Sequence, residues 1–190
     1  MTKSETDLLE LIKTRRSIFP VSYINKPIEK ELLLEILECG DQAPNHKLTQ
    51  PWRFTVFTGK GLVRLADELV KQYGLITSQA TFLQKKSDSI REKVLQSGAV
   101  MAICFQESGK VPKWEEIAAT AAAVQNMALA ASVLGIGSYW SSPGMINELE
   151  AFLNLKENES CIGLFYMGYH QELPRSGNRS PLEEKITWVS

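Results

Sequence analysis

From Ile117 to Leu134 the chain is apolar or small at almost every position, with six alanines in the first two-thirds alone contributing to the run Ile117-Ala118-Ala119-Thr120-Ala121-Ala122-Ala123-Val124 and its continuation through Met127, Ala128, Leu129, Ala130, Ala131 and Val133. A helix that meets water on one side alternates apolar and polar stripes, whereas one apolar nearly all round is buried. Alanine favours the helix and lets neighbours approach closely, so the run predicts one central helix surrounded by other elements. Thr120, Gln125 and Asn126 interrupt it, and its polar ends keep it short of a membrane span. Gly135 and Gly137 stop the helix, and Ser138-Tyr139-Trp140-Ser141-Ser142 reads as a strand entering the core. A tryptophan and two hydroxyls at the end of that strand suit either a pocket wall or plain core packing.

The remaining periodicities are shorter. Ser4-x-x-Asp7 has the form of a capping box, and Leu8, Leu11 and Ile12 share a face, predicting a first helix over about residues 6–14. Pro27 suits the entry of a second helix with Leu32, Leu33, Ile36 and Leu37 buried, and Gly40 suits its end. Two prolines exclude a regular helix from residues 43–51. Residues 52–58 are aromatic and β-branched and read as a strand bounded by Gly59. Helical spacing returns at 61–73 and 79–97, and 99–105 is a continuous apolar run expected to be a buried strand. A short amphipathic helix over 145–153, a strand over 160–168, a polar loop over 174–181 and a β-like segment over 186–189 complete the pattern. Helices first, then strands separated by helices, predict α/β or α+β with four or five strands.

At 190 residues the chain is expected to be one domain, 1–190, with a real core. Lys plus Arg number 21 against 22 for Asp plus Glu, a net charge of -1 that offers no footprint for nucleic acid and no basic face for a membrane. The polar N-terminus lacks the plan of a signal peptide, and Cys39, Cys104 and Cys161 stand far apart; together these point to reduced thiols in a cytoplasm. His46 and His170 with such scattered cysteines make no zinc site.

Common catalytic signatures are absent: no Gly-x-Ser-x-Gly, no Walker loop, no His-Glu-x-x-His and no Gly-x-Gly-x-x-Gly. Gly135-Ile136-Gly137 follows a helix instead of opening one, and the adjacent Glu115 and Glu116 point to different sides of a helix. Two places remain. Arg15-Arg16-Ser17 offers forked cations and a hydroxyl suited to a phosphate, although such a pair at a helix end also serves simply as a solvated terminus. The loop from Asn45 to Trp52 gathers amide, imidazole, ammonium and hydroxyl groups, or is only a turn leading into a strand.

Taken in order, these pieces resemble the flavin-dependent nitroreductase family. The likeness rests on Arg15-Arg16-Ser17, on Ala43-Pro44 followed by Gln50-Pro51-Trp52-Arg53-Phe54, and on the alanine-rich helix leading into Gly135-x-Gly137 with a late Arg179 loop. Val111-Pro112-Lys113-Trp114-Glu115 and Trp140-Ser141-Ser142 resemble its short, minimal-scaffold branch, and the likeness covers nearly the whole chain. It implies an α+β fold with a mostly antiparallel central sheet of four to five strands, flanking helices and a long buried central helix. It also implies a homodimer with one FMN per subunit at the interface, reduced by NAD(P)H. By that resemblance Arg15, Arg16, Ser17 and Arg179 hold the phosphate and ribityl chain, and Trp140, Ser141 and Ser142 line the flavin. Gln42 and His46 reach the FMN of the partner subunit, and residues 130–135 lie near the nicotinamide dinucleotide.

One departure stands out. Where many members have Ser-Ser-x-Asn-x-Gln-Pro-Trp, Leu48 replaces the asparagine that meets the flavin ring, and His46 or Lys47 is the candidate to compensate. The implied activity is ping-pong hydride transfer through FMN to a nitroaromatic, quinone or similar acceptor, with no catalytic side chain required. Its rivals are a flavin-binding or sensing module without turnover, and a ligand-free helical dimerisation protein.

Overall fold

The computed structural model describes the backbone from Lys3 to Ser190 apart from Pro174 and Ser176, and side chains from Leu8 onward; the Ser4–Asp7 capping box lies outside the described side chains. The chain groups into two compact units: residues 17–172, and a smaller unit of residues 1–16 with 173–190. Among the described residues no helix is long and apolar enough to cross a membrane.

The larger unit is built on four antiparallel strands, β1 (Trp52–Phe57), β2 (Ala99–Gln106), β3 (Ile136–Ser141) and β4 (Glu159–Tyr169), in the order β1-β2-β4-β3. The inner strands β2 and β4 are buried on both faces, which is why their sequences are continuous apolar runs instead of alternating ones. Val100, Ala102, Cys104, Leu164 and Tyr166 face one side, against α3 (Lys60–Ile76) and α4 (Gln84–Leu95). Met101, Ile103, Phe165 and Met167 face the other, against α2 (Lys30–Asp41) and α5 (Lys113–Val133). A bulge in β4 places Ile162 without a partner between Gly163, opposite Ile103, and Cys161, opposite Cys104. Cys104 and Cys161 are buried free thiols on the same side.

Helix α5 is the predicted central helix. Ala119, Ala123, Val124, Met127, Ala128 and Ala131 are buried on the sheet and α2. Its outer side is less covered than an all-round apolar pattern suggests. Ala118 is exposed, Ala121, Ala122 and Leu129 are half-buried, and Trp114 and Val133 at its ends are 67% and 70% exposed. Gly135, at φ 70°, turns the chain directly into β3.

Four expectations need correction. Gly40 lies inside α2 and does not end it: a Cβ there would sit 2.7 Å from Met127 Cγ, so the glycine permits the close approach of α2 to α5. The second helix begins at Lys30, three residues after Pro27, and the helix expected from 79 begins at Gln84, because Thr81 and Phe82 turn back onto the Ser78 carbonyl. The β-like segment 186–189 pairs with no strand among the described residues; Trp188 is 89% exposed. In the smaller unit α1 (Lys3–Thr14) is followed at the other end of the chain by a short 3-10 turn at Leu182–Lys185. The segment 145–153 is a 3-10 turn running into one α turn, α6 (Glu150–Leu153).

Trp140 lies across the bulge, so tightly that a Cβ on Gly163 would fall 2.0 Å from its Nε1 and 2.9 Å from the Ser141 carbonyl oxygen. Gly163→Ala is therefore expected to push the indole off the sheet and cost about 1–3 kcal/mol. The check is a lowered melting temperature together with a changed tryptophan emission; an unchanged melt would show the indole is not wedged there.

Candidate functional site

The smaller unit concentrates cations at the C-terminal end of α1. Thr14 and Arg15 close the helix, Thr14 Oγ1 donating to Glu10 O at 2.7 Å and the Arg15 N–H to Leu11 O at 2.8 Å. Exposed carbonyls at a helix C-terminus favour positive charge. Arg16 Nη1 donates to the Lys13 and Arg15 carbonyls at 2.6 and 2.7 Å. Its guanidinium lies against Gly177, where a Cβ would be 2.7 Å from Arg16 Cζ. Arg16 Nε is buried and has no hydrogen-bond partner among the described residues. Burial holds the Arg15 guanidinium below the usual arginine range, and Arg16 and Arg179 push it further in the same direction. Arg179 itself is exposed, its Nη1 donating to the Asn178 carbonyl at 3.0 Å.

Two guanidinium groups thus act on that of Arg15, and none of the three makes an ion pair with a described carboxylate. Such an arrangement is electrostatically incomplete without an anion, and an orphaned buried N–H marks where a hydrogen-bond acceptor is missing. The donor set suits a phosphate, which takes several forked N–H groups at once.

In the larger unit Ser17 opens a segment that runs beside β3. The Ile18 N–H donates to the Ser138 carbonyl at 3.1 Å, and the Phe19 and Tyr139 rings are 4.6 Å apart. The next residues of β3 are Trp140, part of the apolar layer with α5, and Ser141; Ser142 follows, exposed. Gln42 and His46 belong to a different place. Gln42 is the exposed C-cap of α2, and His46 opens a 3-10 turn, His46–Leu48. No hydrogen bond, ion pair or ring contact joins Gln42 or His46 to Trp140, Ser141 or Ser142. Instead His46 Nδ1 lies 2.6 Å from Glu115 Oε2, and Lys47 Nζ donates to the Lys110 carbonyl at 2.9 Å. The adjacency of Glu115 and Glu116 does not by itself mark Glu115 as the partner of His46. A signal for Glu115 was available: a carboxylate in the first turn of a long helix following Pro112.

The turn is strained. Lys47, Leu48 and Gln50 have φ values of 52°, 52° and 42°, a left-handed conformation that asparagine and glycine tolerate better than lysine, leucine or glutamine. Leu48, where the resembled family has asparagine, is also 82% exposed. Asn45 braces the turn from inside by accepting the Gln50 N–H at 3.1 Å.

A model of the nitroreductase family matches residues 12–169, most of the chain. The chain belongs to the nitroreductase family. An Escherichia coli protein provisionally named NAD(P)H nitroreductase YdjA is 33% identical over 172 residues, 87% of this chain and 89% of its own. A Bacillus subtilis protein with the provisional name NAD(P)H nitroreductase YfhC is 28% identical over 95% of this nitroreductase-family chain and 93% of its own. Among solved structures, a nitroreductase-like family protein from Bacillus cereus superposes with a TM-score of 0.82 at 27% identity, covering 96% of this chain and 95% of that one. A provisionally named nitroreductase from Desulfovibrio desulfuricans, solved in complex with FMN, gives a TM-score of 0.72 at 26% identity over 96% of both chains. The α+β fold with an antiparallel sheet is that of the family.

Removing the Asn45 brace tests whether the strained turn depends on it. Asn45→Ala leaves the Gln50 N–H without its acceptor, a loss of about 1 kcal/mol that raises transient opening roughly fivefold. Limited tryptic digestion should then cut faster after Lys47, with the global melt little changed. Equal cutting rates would mean that the contacts of His46 and Lys47 suffice.

Proposed function

We propose that this protein is an FMN-dependent NAD(P)H oxidoreductase of the nitroreductase type. In this reading the 190 residues form one FMN-binding domain, acting in the cytoplasm as a homodimer with the flavin sites at the interface. The observation that carries it is the group of Arg15, Arg16 and Arg179 in the smaller unit, where Arg16 and Arg179 both repel the Arg15 guanidinium and the buried Arg16 Nε has no hydrogen-bond partner among the described residues. Family membership, the provisional NAD(P)H nitroreductase names of relatives and the FMN held by a structural neighbour support the same reading.

Arg15, Arg16 and Arg179 bind the phosphate, with Ser17 beside them in sequence toward the ribityl chain. Trp140, Ser141 and Ser142 line the flavin, Trp140 as a flat wall and the serines as hydrogen-bonding groups. Gln42 and His46 reach the flavin of the partner subunit, in keeping with their lack of contacts to β3 in their own chain. The outer side of α5, from Trp114 through Ala118, Ala121, Ala122 and Leu129 to Val133, is the surface that a two-fold partner covers. Bound FMN supplies hydride exchange, taking two electrons from NAD(P)H and passing them to a nitroaromatic, quinone or similar acceptor. The chain's own contribution is binding and orientation, and it needs no side chain that gains or loses electrons.

Losing one charge-assisted contact to a phosphate costs about 2 kcal/mol, a tenfold or greater weakening. Arg15→Ala and Arg179→Ala should therefore bind FMN at least tenfold more weakly. The melting temperature of the flavin-free protein should not fall, because each change also removes a like-charge neighbour. Unchanged FMN affinity in both variants would overturn the phosphate assignment. With FMN bound, steady NAD(P)H oxidation in the presence of a quinone should give parallel double-reciprocal lines; intersecting lines would mean both substrates bind together, and no turnover would leave a flavin-binding module.

A further inference from the structure

The turn that carries His46 is not held by its own residues alone. Three of its residues adopt left-handed backbone, each at a cost of about 1–3 kcal/mol, which persists only where surrounding structure over-determines it. Inside the turn the supports are the Gln50 N–H to Asn45 Oδ1 bond and the Thr49 N–H to His46 carbonyl bond at 3.2 Å. The two side-chain contacts reaching out of it go to one place, the approach to α5. Lys47 Nζ donates to the Lys110 carbonyl at 2.9 Å, and His46 Nδ1 meets Glu115 Oε2 at 2.6 Å.

The second contact determines the state of the imidazole. An ionised carboxylate only accepts, so the proton between the two groups resides on His46 Nδ1, and Nε2 is left as the ring's free nitrogen. Nε2 makes no hydrogen bond among the described residues, and the His46 side chain is 57% exposed. Glu115 is anchored in turn. It lies in the first turn of the 21-residue α5, where a carboxylate is favoured, and next to Glu116, whose two oxygens accept the Ser108 N–H at 3.1 and 3.2 Å and fix the preceding loop.

We propose that Glu115 is a positioning residue of the flavin site, acting through His46: it fixes the Nδ1–H tautomer and the ring orientation, so that Nε2 is presented to the flavin of the partner subunit. The proposal rests on the reading of His46 as a flavin contact given above. Glu115 touches neither cofactor nor substrate in this scheme; its effect passes entirely through the imidazole.

The chain supplies an internal control. His170, the other histidine, accepts the Glu172 N–H on Nδ1 at 3.1 Å, so it carries its proton on Nε2, the opposite tautomer. In the FMN-loaded dimer, 15N spectra of the two rings should show His46 protonated on Nδ1 and His170 on Nε2. Glu115→Gln keeps the size of the side chain and the helix but can either accept from or donate to Nδ1. It should therefore mix the tautomers of His46 while leaving His170 unchanged.

FMN affinity provides the second readout. His46→Ala and Glu115→Ala should each weaken FMN binding by about tenfold, and the double variant should bind no more weakly than either single one, because both remove the same contact. Glu115→Asp should recover part of the loss. If His46→Ala weakens binding but Glu115→Gln and Glu115→Ala leave the tautomer and the affinity at wild-type values, the positioning role is overturned while the functional reading stands. Additive losses in the double variant overturn it in the same way. If instead the wild-type protein binds no FMN, or His46→Ala does not change its affinity, the reading of His46 falls and the role of Glu115 falls with it.

Discussion

The close seating of α5 on the sheet and on α2 is the constraint from which the rest of the larger unit follows. It depends on small side chains. Ala119 and Ala123 pack with Ala43 and Trp52, and Gly40 admits Met127 at a distance that any Cβ would violate. Protein interiors are packed densely enough that an added methylene here moves a helix instead of filling a gap. Because the helix is fixed, so are both its ends. At one end Glu115 and Glu116 receive the His46 turn and the Ser108 loop. At the other, Gly135 leads within one residue into β3, which carries Trp140 and Ser141. The candidate site residues of this unit are thus attached, at opposite ends, to one rigid element.

That explains what was legible in the sequence. Apolar period alone gave α5, the two inner strands and the α3 and α4 hairpin, because each buries a face whose spacing is written locally. Burial on both faces made β2 and β4 plain as unbroken apolar runs. The errors lie where a distant partner decides. Gly40 reads as a helix end, but its reason for being glycine is Met127, far along the chain. Residues 186–189 have strand composition, yet composition does not supply a neighbouring edge, and no described strand pairs with them. Of the candidate site, the arginines could be nominated from sequence because forked cations suit a phosphate, and the structure groups Arg15, Arg16 and Arg179 electrostatically. Glu115 could not be, since its meaning depends on a histidine 69 residues away.

The arginine group shows how such a site differs from an ordinary helix terminus. A solvated basic pair costs little, because water screens it. Here Arg15 is partly withdrawn from water, which by itself disfavours its charge, and two further guanidiniums add to the effect. Arginine does not relieve this by losing its proton, since its pKa stays far above neutrality. An anion taken up there would relieve the repulsion, so in the proposed reading the terms that burden the arginines alone would become binding energy for a phosphate. In that reading stability and cofactor affinity would be coupled through the charge distribution, without any change in fold.

The remaining oddities of the larger unit share a form: each is unfavourable in a single chain. Leu48 holds a left-handed backbone and displays its side chain to water, so neither local conformation nor burial rewards it. The outer side of α5 leaves Trp114 and Val133 exposed on a helix whose composition suits full burial. The His46 ring is oriented by a carboxylate, yet its other nitrogen makes no hydrogen bond among the described residues. Structure that is costly alone persists when the bound or assembled state repays the cost. The two-fold partner of the proposed dimer would supply such repayment for all three at once, because the turn and the N-terminus of α5 are joined through Glu115 and Lys110 and so would arrive at an interface together. A monomer with FMN at a site contained within one chain would leave the oriented histidine, the exposed leucine and the half-covered helix each needing a separate explanation.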